Sequence, residues 1–223
     1  MAKFILVLCL LIGLTGCSSA ENIENRIEET VIKEENTVYK ARINTVGDYF
    51  SYYLPADCYR RESDNLSSVI DFMAGHIVLN LNIKDIIADR YYYENMLNND
   101  GLYSENRLVY SKSSEMLKSE DEKLRYDLFV YSLDSEYLIH LQTRELQMYG
   151  YSFKGDLIET VRHMMIIAKN TEVMSDNVID SFSAKDVIDY EKKQVNLFNY
   201  VIPSSGYVQE LLKDMRKETK DER

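Results

Sequence analysis

Residues 124–143 read Leu124-Arg125-Tyr126-Asp127-Leu128-Phe129-Val130-Tyr131-Ser132-Leu133-Asp134-Ser135-Glu136-Tyr137-Leu138-Ile139-His140-Leu141-Gln142-Thr143. Leu124, Tyr126, Leu128 and Val130 fall at every second position, as a half-buried strand requires. Leu133-Asp134-Ser135-Glu136 turns the chain. Tyr137, Ile139, Leu141 and Thr143 then repeat the same period. Two such runs joined by a short turn pair as antiparallel neighbours. Each leaves one apolar and one polar face, so the fold needs a layer to cover the apolar side.

The period-two pattern extends in both directions. Upstream, Arg107–Lys112 reads as a further strand, followed by a charged loop at Lys118–Glu122, and residues 102–151 together read as a meander. Ile77–Ile83 alternates Leu79, Leu81 and Ile83 with Asn80, Asn82 and Lys84. Tyr39, Ala41 and Ile43 alternate in an early strand. Gly47-Asp48 marks a turn, and Tyr49–Leu54 a second strand that stops at Pro55. Asp85–Leu97 reads as a short helix ahead of the turn Asn98-Asn99-Asp100-Gly101.

The period changes at Asp156–Lys169. Leu157, Ile158, Val161, Met164, Met165 and Ala168 make a broad apolar helical face. Asp156 and Glu159 have capping-box spacing, and Lys169 lies in the last turn, where its charge suits the helix dipole. This helix is the expected cover. A C-terminal helix is expected from Gly206 to about Lys217, with a charged end over Lys213–Arg223 that frays into solvent. The fold class is therefore α+β: an antiparallel sheet of about five to seven strands, one long covering helix and a C-terminal helix.

The N-terminal residues are of another kind. Lys3 supplies positive charge, Phe4–Leu14 is almost unbroken apolar sequence, and Leu14-Thr15-Gly16-Cys17 ends it with small residues. That is the layout of a secretory signal, and the run stops at Ser18-Ser19, well short of the roughly 20 apolar residues a spanning helix needs. The tetrad resembles the lipobox of bacterial lipoproteins, in which signal peptidase II cuts before a cysteine that is lipidated. The resemblance covers only this N-terminal stretch. It implies a signal peptide over residues 1–16, a diacylglyceryl group on Cys17, often an acyl chain on its amino group, and a place on the outer face of the cell membrane. Two or more chains make such an anchor stable.

Residues 17–37 follow as an acidic, helix-prone segment. Ile23, Ile27 and Val31 share one narrow stripe, and the segment reads as a mostly solvated tether. Residues 38–223 read as a single α+β domain. Its order of elements faintly resembles the PsbP-like α/β sandwich, a likeness of architecture that implies no ligand.

The 223-residue chain carries a net charge of −11, which argues against nucleic acid as a partner. No metal-ligand spacing joins His76, His140 and His163. His140 alternates outward in its strand and is expected to be exposed. Cys58 is the one cysteine left to a chain processed at Cys17, read either as a small buried hydrophobe or as a free thiol. Gly150-Tyr151-Ser152-Phe153-Lys154 starts like a nucleophile elbow but lacks its last glycine. These patterns give no catalytic residue, no metal and no cofactor. Tyr52, Tyr53, Tyr59 and Tyr91-Tyr92-Tyr93 are the candidate binding surface, with sheet packing as the competing reading. Phe50–Tyr59 and Phe198–Tyr207 match at Phe, Tyr, Pro and the last Tyr, which reads either as coincidence or as a duplicated strand. Three functions stay open: a lipid-anchored module binding a protein, peptide or glycan, an envelope-assembly component, and an enzyme with a dispersed site.

Overall fold

A computed structural model describes residues 23–73, 75–88, 107–133 and 135–183. Its elements are α1 (Ile23–Asn36), β1 (Thr45–Val46), β2 (Phe50–Tyr52), β3 (Tyr59–Ser63), β4 (Ser67–Phe72), β5 (Gly75–Leu81), α2 (Ile83–Ile87), β6 (Arg107–Leu117), β7 (Lys123–Leu133), β8 (Glu136–Gln142), β9 (Leu146–Phe153), α3 (Leu157–Lys169), β10 (Thr171–Val173) and α4 (Ser175–Phe182). The chain is α+β with two antiparallel sheets. Seven strands take the order β3-β4-β5-β9-β8-β7-β6, and three take the order β1-β2-β10.

The meander expected over 102–151 corresponds to β6, β7, β8 and β9, each paired with the next. β9 then pairs with β5, joining the early strands to the later ones. Three differences from the sequence reading stand out. Tyr39, Ala41 and Ile43 form no strand, and only Thr45–Val46 pairs there. The charged strand β3 and the turn-rich β4 have no clean period-two signal, yet both join the sheet. The expected helix over 85–97 starts at Ile83, and its described part ends at Ile87.

One face of the large sheet carries Ile70, Phe72, Ile77, Leu79, Tyr126, Leu128, Val130, Ile139, Leu141 and Met148, all in the main core. α3 lies against β9, β5 and β8, and α1 lies beside α3 and against β6. The cover is thus two helices rather than one. α3 comes so close to β9 that a Cβ on Gly150 would sit 2.6 Å from Met164 Sδ and 2.9 Å from Thr160 Cγ2. The expected capping box is absent: Asp156 makes no side-chain cap, and Glu159 pairs with Arg162 at 2.7 Å.

α1 corrects the tether expectation. Ile27 and Val31 are fully buried and Glu34 is 1 % exposed. A narrow stripe suffices because polar side chains on its flanks also find partners. Tyr126 Oη donates to Glu35 at 2.6 Å, Tyr110 Oη donates to Glu28, and Lys112 Nζ bridges Glu28 at 3.0 Å and Glu35 at 3.2 Å. Burial and the adjoining carboxylates push both tyrosine hydroxyls far above their ordinary range, so they stay protonated as donors. Lys169 does not end in solvent at the tip of α3. It is 2 % exposed and donates to the backbone carbonyls of Glu34 and Thr37, the latter at 2.8 Å. A cation thereby meets the carbonyls at the C-terminal end of α1, where the helix dipole favours positive charge.

The other face of the sheet is buried as well. Asp127, Phe129 and Tyr131 on β7, His140 on β8 and Tyr149 and Tyr151 on β9 are all less than 5 % exposed. His140 is therefore not outward in solvent, as alternation alone predicts. It stacks between Tyr149, with centroids 5.0 Å apart, and Phe129, at 6.2 Å. Complete burial drops its pKa to about 3, so the ring is neutral.

Candidate functional site

The strands around α3 bring together two distant parts of the sequence. α3 runs directly into β10, and β10 pairs antiparallel with β2, Thr171 opposite Tyr52. The chain leaving β2 must therefore run back along α3. Tyr53 N–H donates to the Asn170 carbonyl at 3.0 Å, which fixes the start of that return. Pro55 then ends the strand, and the Cys58 amide donates to the Pro55 carbonyl at 3.0 Å, closing a tight turn. His163 lies seven residues before Asn170, roughly 10 Å along a helix, a distance that five residues of extended chain cover easily.

At that point Asp57, Cys58 and His163 converge. One ligand-type atom from each, a carboxylate oxygen, Sγ and an imidazole nitrogen, all lie within 4.8 Å of one another. His163 Nε2 is 3.0 Å from Asp57 Oδ2, and Cys58 Sγ is 4.0 Å from Asp57 Oδ1. The three differ in access. The His163 side chain is 1 % exposed and that of Asp57 is 53 % exposed. Cys58 is buried, so the cluster has a protein wall on one side and water on the other.

The electrostatics follow from that asymmetry. Burial, with the Asp57 carboxylate adding to it, pushes the Cys58 thiol up to about 12. A protonated thiol is a poor nucleophile. Burial also holds the His163 imidazole below its ordinary range, against the opposing pull of Asp57. The edge of Phe72 packs on the His163 ring at 4.6 Å and fixes its plane. The guanidinium of Arg162 reaches within 3.4 Å of Nε2, its charge balanced by Glu159. Sequence reading missed this cluster because His163 follows Asp57 by 106 positions, and no local spacing announces it. The one available signal was that His163 falls among apolar positions of α3, where burial needs a partner.

The tyrosine surface is only partly assembled. Tyr59 is 57 % exposed on β3, and Tyr53 is half-buried. Tyr52 is a correction: it is 1 % exposed and stacks on Phe50 at 5.9 Å, because the three-stranded sheet turns it into the core. Tyr91, Tyr92 and Tyr93, Cys17, the Phe198–Tyr207 match and the expected C-terminal helix lie outside the described residues. No described helix is long and apolar enough to cross a membrane. No protein-family model matches the chain, and no curated protein matches its sequence.

Proposed function

We propose that this chain is a bacterial lipoprotein, held by acyl chains on Cys17 at the outer face of the cell membrane, whose folded domain is a binding or accessory module. The observation that carries the reading is Leu14-Thr15-Gly16-Cys17 at the end of the Phe4–Leu14 apolar run. The packing of α1 refines it. Because α1 belongs to the folded body from Ile23 onward, six residue steps separate it from Cys17, a span of about 20 Å at most when extended. The domain would then sit close to the bilayer, where its acidic excess keeps it from lying flat on anionic lipid.

A binding role is favoured over catalysis by the protonated Cys58 thiol and by the hydrogen bond of His163 to Asp57 rather than to the cysteine. Among the described residues, Tyr59 and Tyr53 are the accessible members of the tyrosine surface through which a protein, peptide or glycan would be met. The PsbP-like likeness belongs to the same proposal and concerns architecture alone.

The test is fractionation of cells expressing the full chain and a Cys17→Ala variant, with mass spectrometry of the N-terminal peptide. The reading expects a processed, diacylglyceryl-modified Cys17 and release of the variant from the lipid-anchored fraction. An unmodified cysteine on an uncut precursor would refute it.

A further inference from the structure

The geometry points to a transition-metal site formed by Asp57, Cys58 and His163, which takes a divalent cation of the zinc type. This goes beyond the anchoring proposal and does not depend on it.

The donor set decides the class of ion. One sulfur, one imidazole nitrogen and one carboxylate oxygen suit Zn2+ and its neighbours in the first transition row. Mg2+ and Ca2+ prefer shells of oxygen and gain little from a thiol or an imidazole. The mutual separations within 4.8 Å allow the three atoms to close on a common centre with small side-chain rotations. Zinc bonds of about 2.0–2.3 Å require donors roughly 3–4 Å apart. The His163–Asp57 contact of 3.0 Å and the Cys58–Asp57 contact of 4.0 Å already span that range.

The charges also balance. The cation displaces the thiol proton to solvent as the metal–sulfur bond forms, and the His163 imidazole binds as the neutral ring through the Nε2 lone pair, its single ring proton shifting from Nε2 to Nδ1. A thiolate, a carboxylate and a divalent cation sum to zero, which a half-buried pocket tolerates. Arg162 stands nearby as a cation, but Glu159 holds it at 2.7 Å and offsets its charge. Three protein donors leave a fourth position on the side where Asp57 meets water. That is the arrangement of an exchangeable or ligand-accepting metal site, whereas structural sites close all four positions with protein. His163 Nδ1 is buried and has no hydrogen-bond partner among the described residues. Metal-bound histidines normally anchor that second nitrogen, so the affinity should fall below that of closed structural sites.

The experiment uses the full chain in detergent, with Cys9→Ser and Cys17→Ser so that Cys58 is its only thiol. Co2+ is titrated and read by electronic absorption, then displaced by Zn2+. The expected result is one Co2+ per chain, with a thiolate-to-cobalt charge-transfer band that zinc abolishes. Cys58→Ser removes the band. Asp57→Asn, a change at an exposed carboxylate that leaves the fold intact, weakens binding by about 10-fold or more. Circular dichroism verifies that each variant is folded. Absence of the band, its survival in Cys58→Ser, or unchanged affinity in Asp57→Asn would each overturn the site.

Discussion

Replacing Ile27 with alanine separates a docked α1 from a solvated tether. Ile27 is fully buried in the main core, beside Val31 one turn on. The substitution removes three carbons, worth roughly 2.4 kcal/mol at about 0.8 kcal/mol per methylene. The cavity left between α1, α3 and β6 adds to this, because surrounding side chains relax only in part. The expected loss is about 3 kcal/mol, inside the roughly 2–5 kcal/mol range of such changes. For a chain of this size it lowers the melting temperature by about 6–12 °C. Ile32→Ala is the internal control: Ile32 is 46 % exposed on the same helix and should change stability by about 0.5 kcal/mol or less. Urea unfolding with a shared slope measures both. If Ile27→Ala matches the control, α1 is not part of the folded body, and the closeness to the membrane derived from it is wrong.

Other outcomes follow from the same packing. Lys169→Met should cost about 3–5 kcal/mol by leaving the buried Glu34 carboxylate without its cation, 3.7 Å away, and a double change with Glu34→Gln should recover part of the loss in a mutant cycle. Gly150→Ala should cost about 1–3 kcal/mol by overpacking β9 against Met164 and Thr160, measured by denaturant midpoint. Burial raises Asp127 to about 6, so its folded form holds a proton that the unfolded chain has released. The charged carboxylate therefore destabilises the fold increasingly as pH rises from about 4 to 6, and Asp127→Asn should stabilise on the order of 2–3 kcal/mol at pH 7 but little at pH 4. His140 has the opposite sign. Its folded pKa of about 3 lies below the ordinary 6.5, so stability is complete above that ordinary value and is lost as pH falls through the interval. His140→Phe, which keeps the stack with Tyr149 and Phe129, should flatten that acid limb in unfolding curves recorded from pH 7 to 4.

The elements that sequence reading placed well are those whose apolar period is complete within the element itself. β7, β8 and α3 each carry a full period of apolar residues; β8 and α3 form within a residue of their expected bounds, while β7 continues past the alternating run ending at Val130 to pair Leu133 with Glu136. Where burial comes from distant partners the reading failed. β3 reads Tyr59-Arg60-Arg61-Glu62-Ser63 and is a strand only because β4 offers it an edge, with Arg61 paired to the buried Asp71. His140 sits at a formally outward position, yet a sheet buried on both faces has no outward side at its centre. Tyr52 and Tyr59 belong to one tyrosine-rich stretch, and only their sheets decide that the first is core and the second exposed.

The order of residues by itself determined the strand meander, the amphipathic helix, the acidic charge and the lipobox-like N-terminus, since each is written in neighbours along the chain. Tertiary structure alone decided that α1 is core, that Lys169 ends inside rather than outside, and that Asp57 and Cys58 meet His163. The first two depend on α1 packing beside α3 and against β6, and the third on antiparallel pairing of β2 with β10, which folds the chain back along α3. Contacts across more than a hundred residues leave no period for a sequence to display.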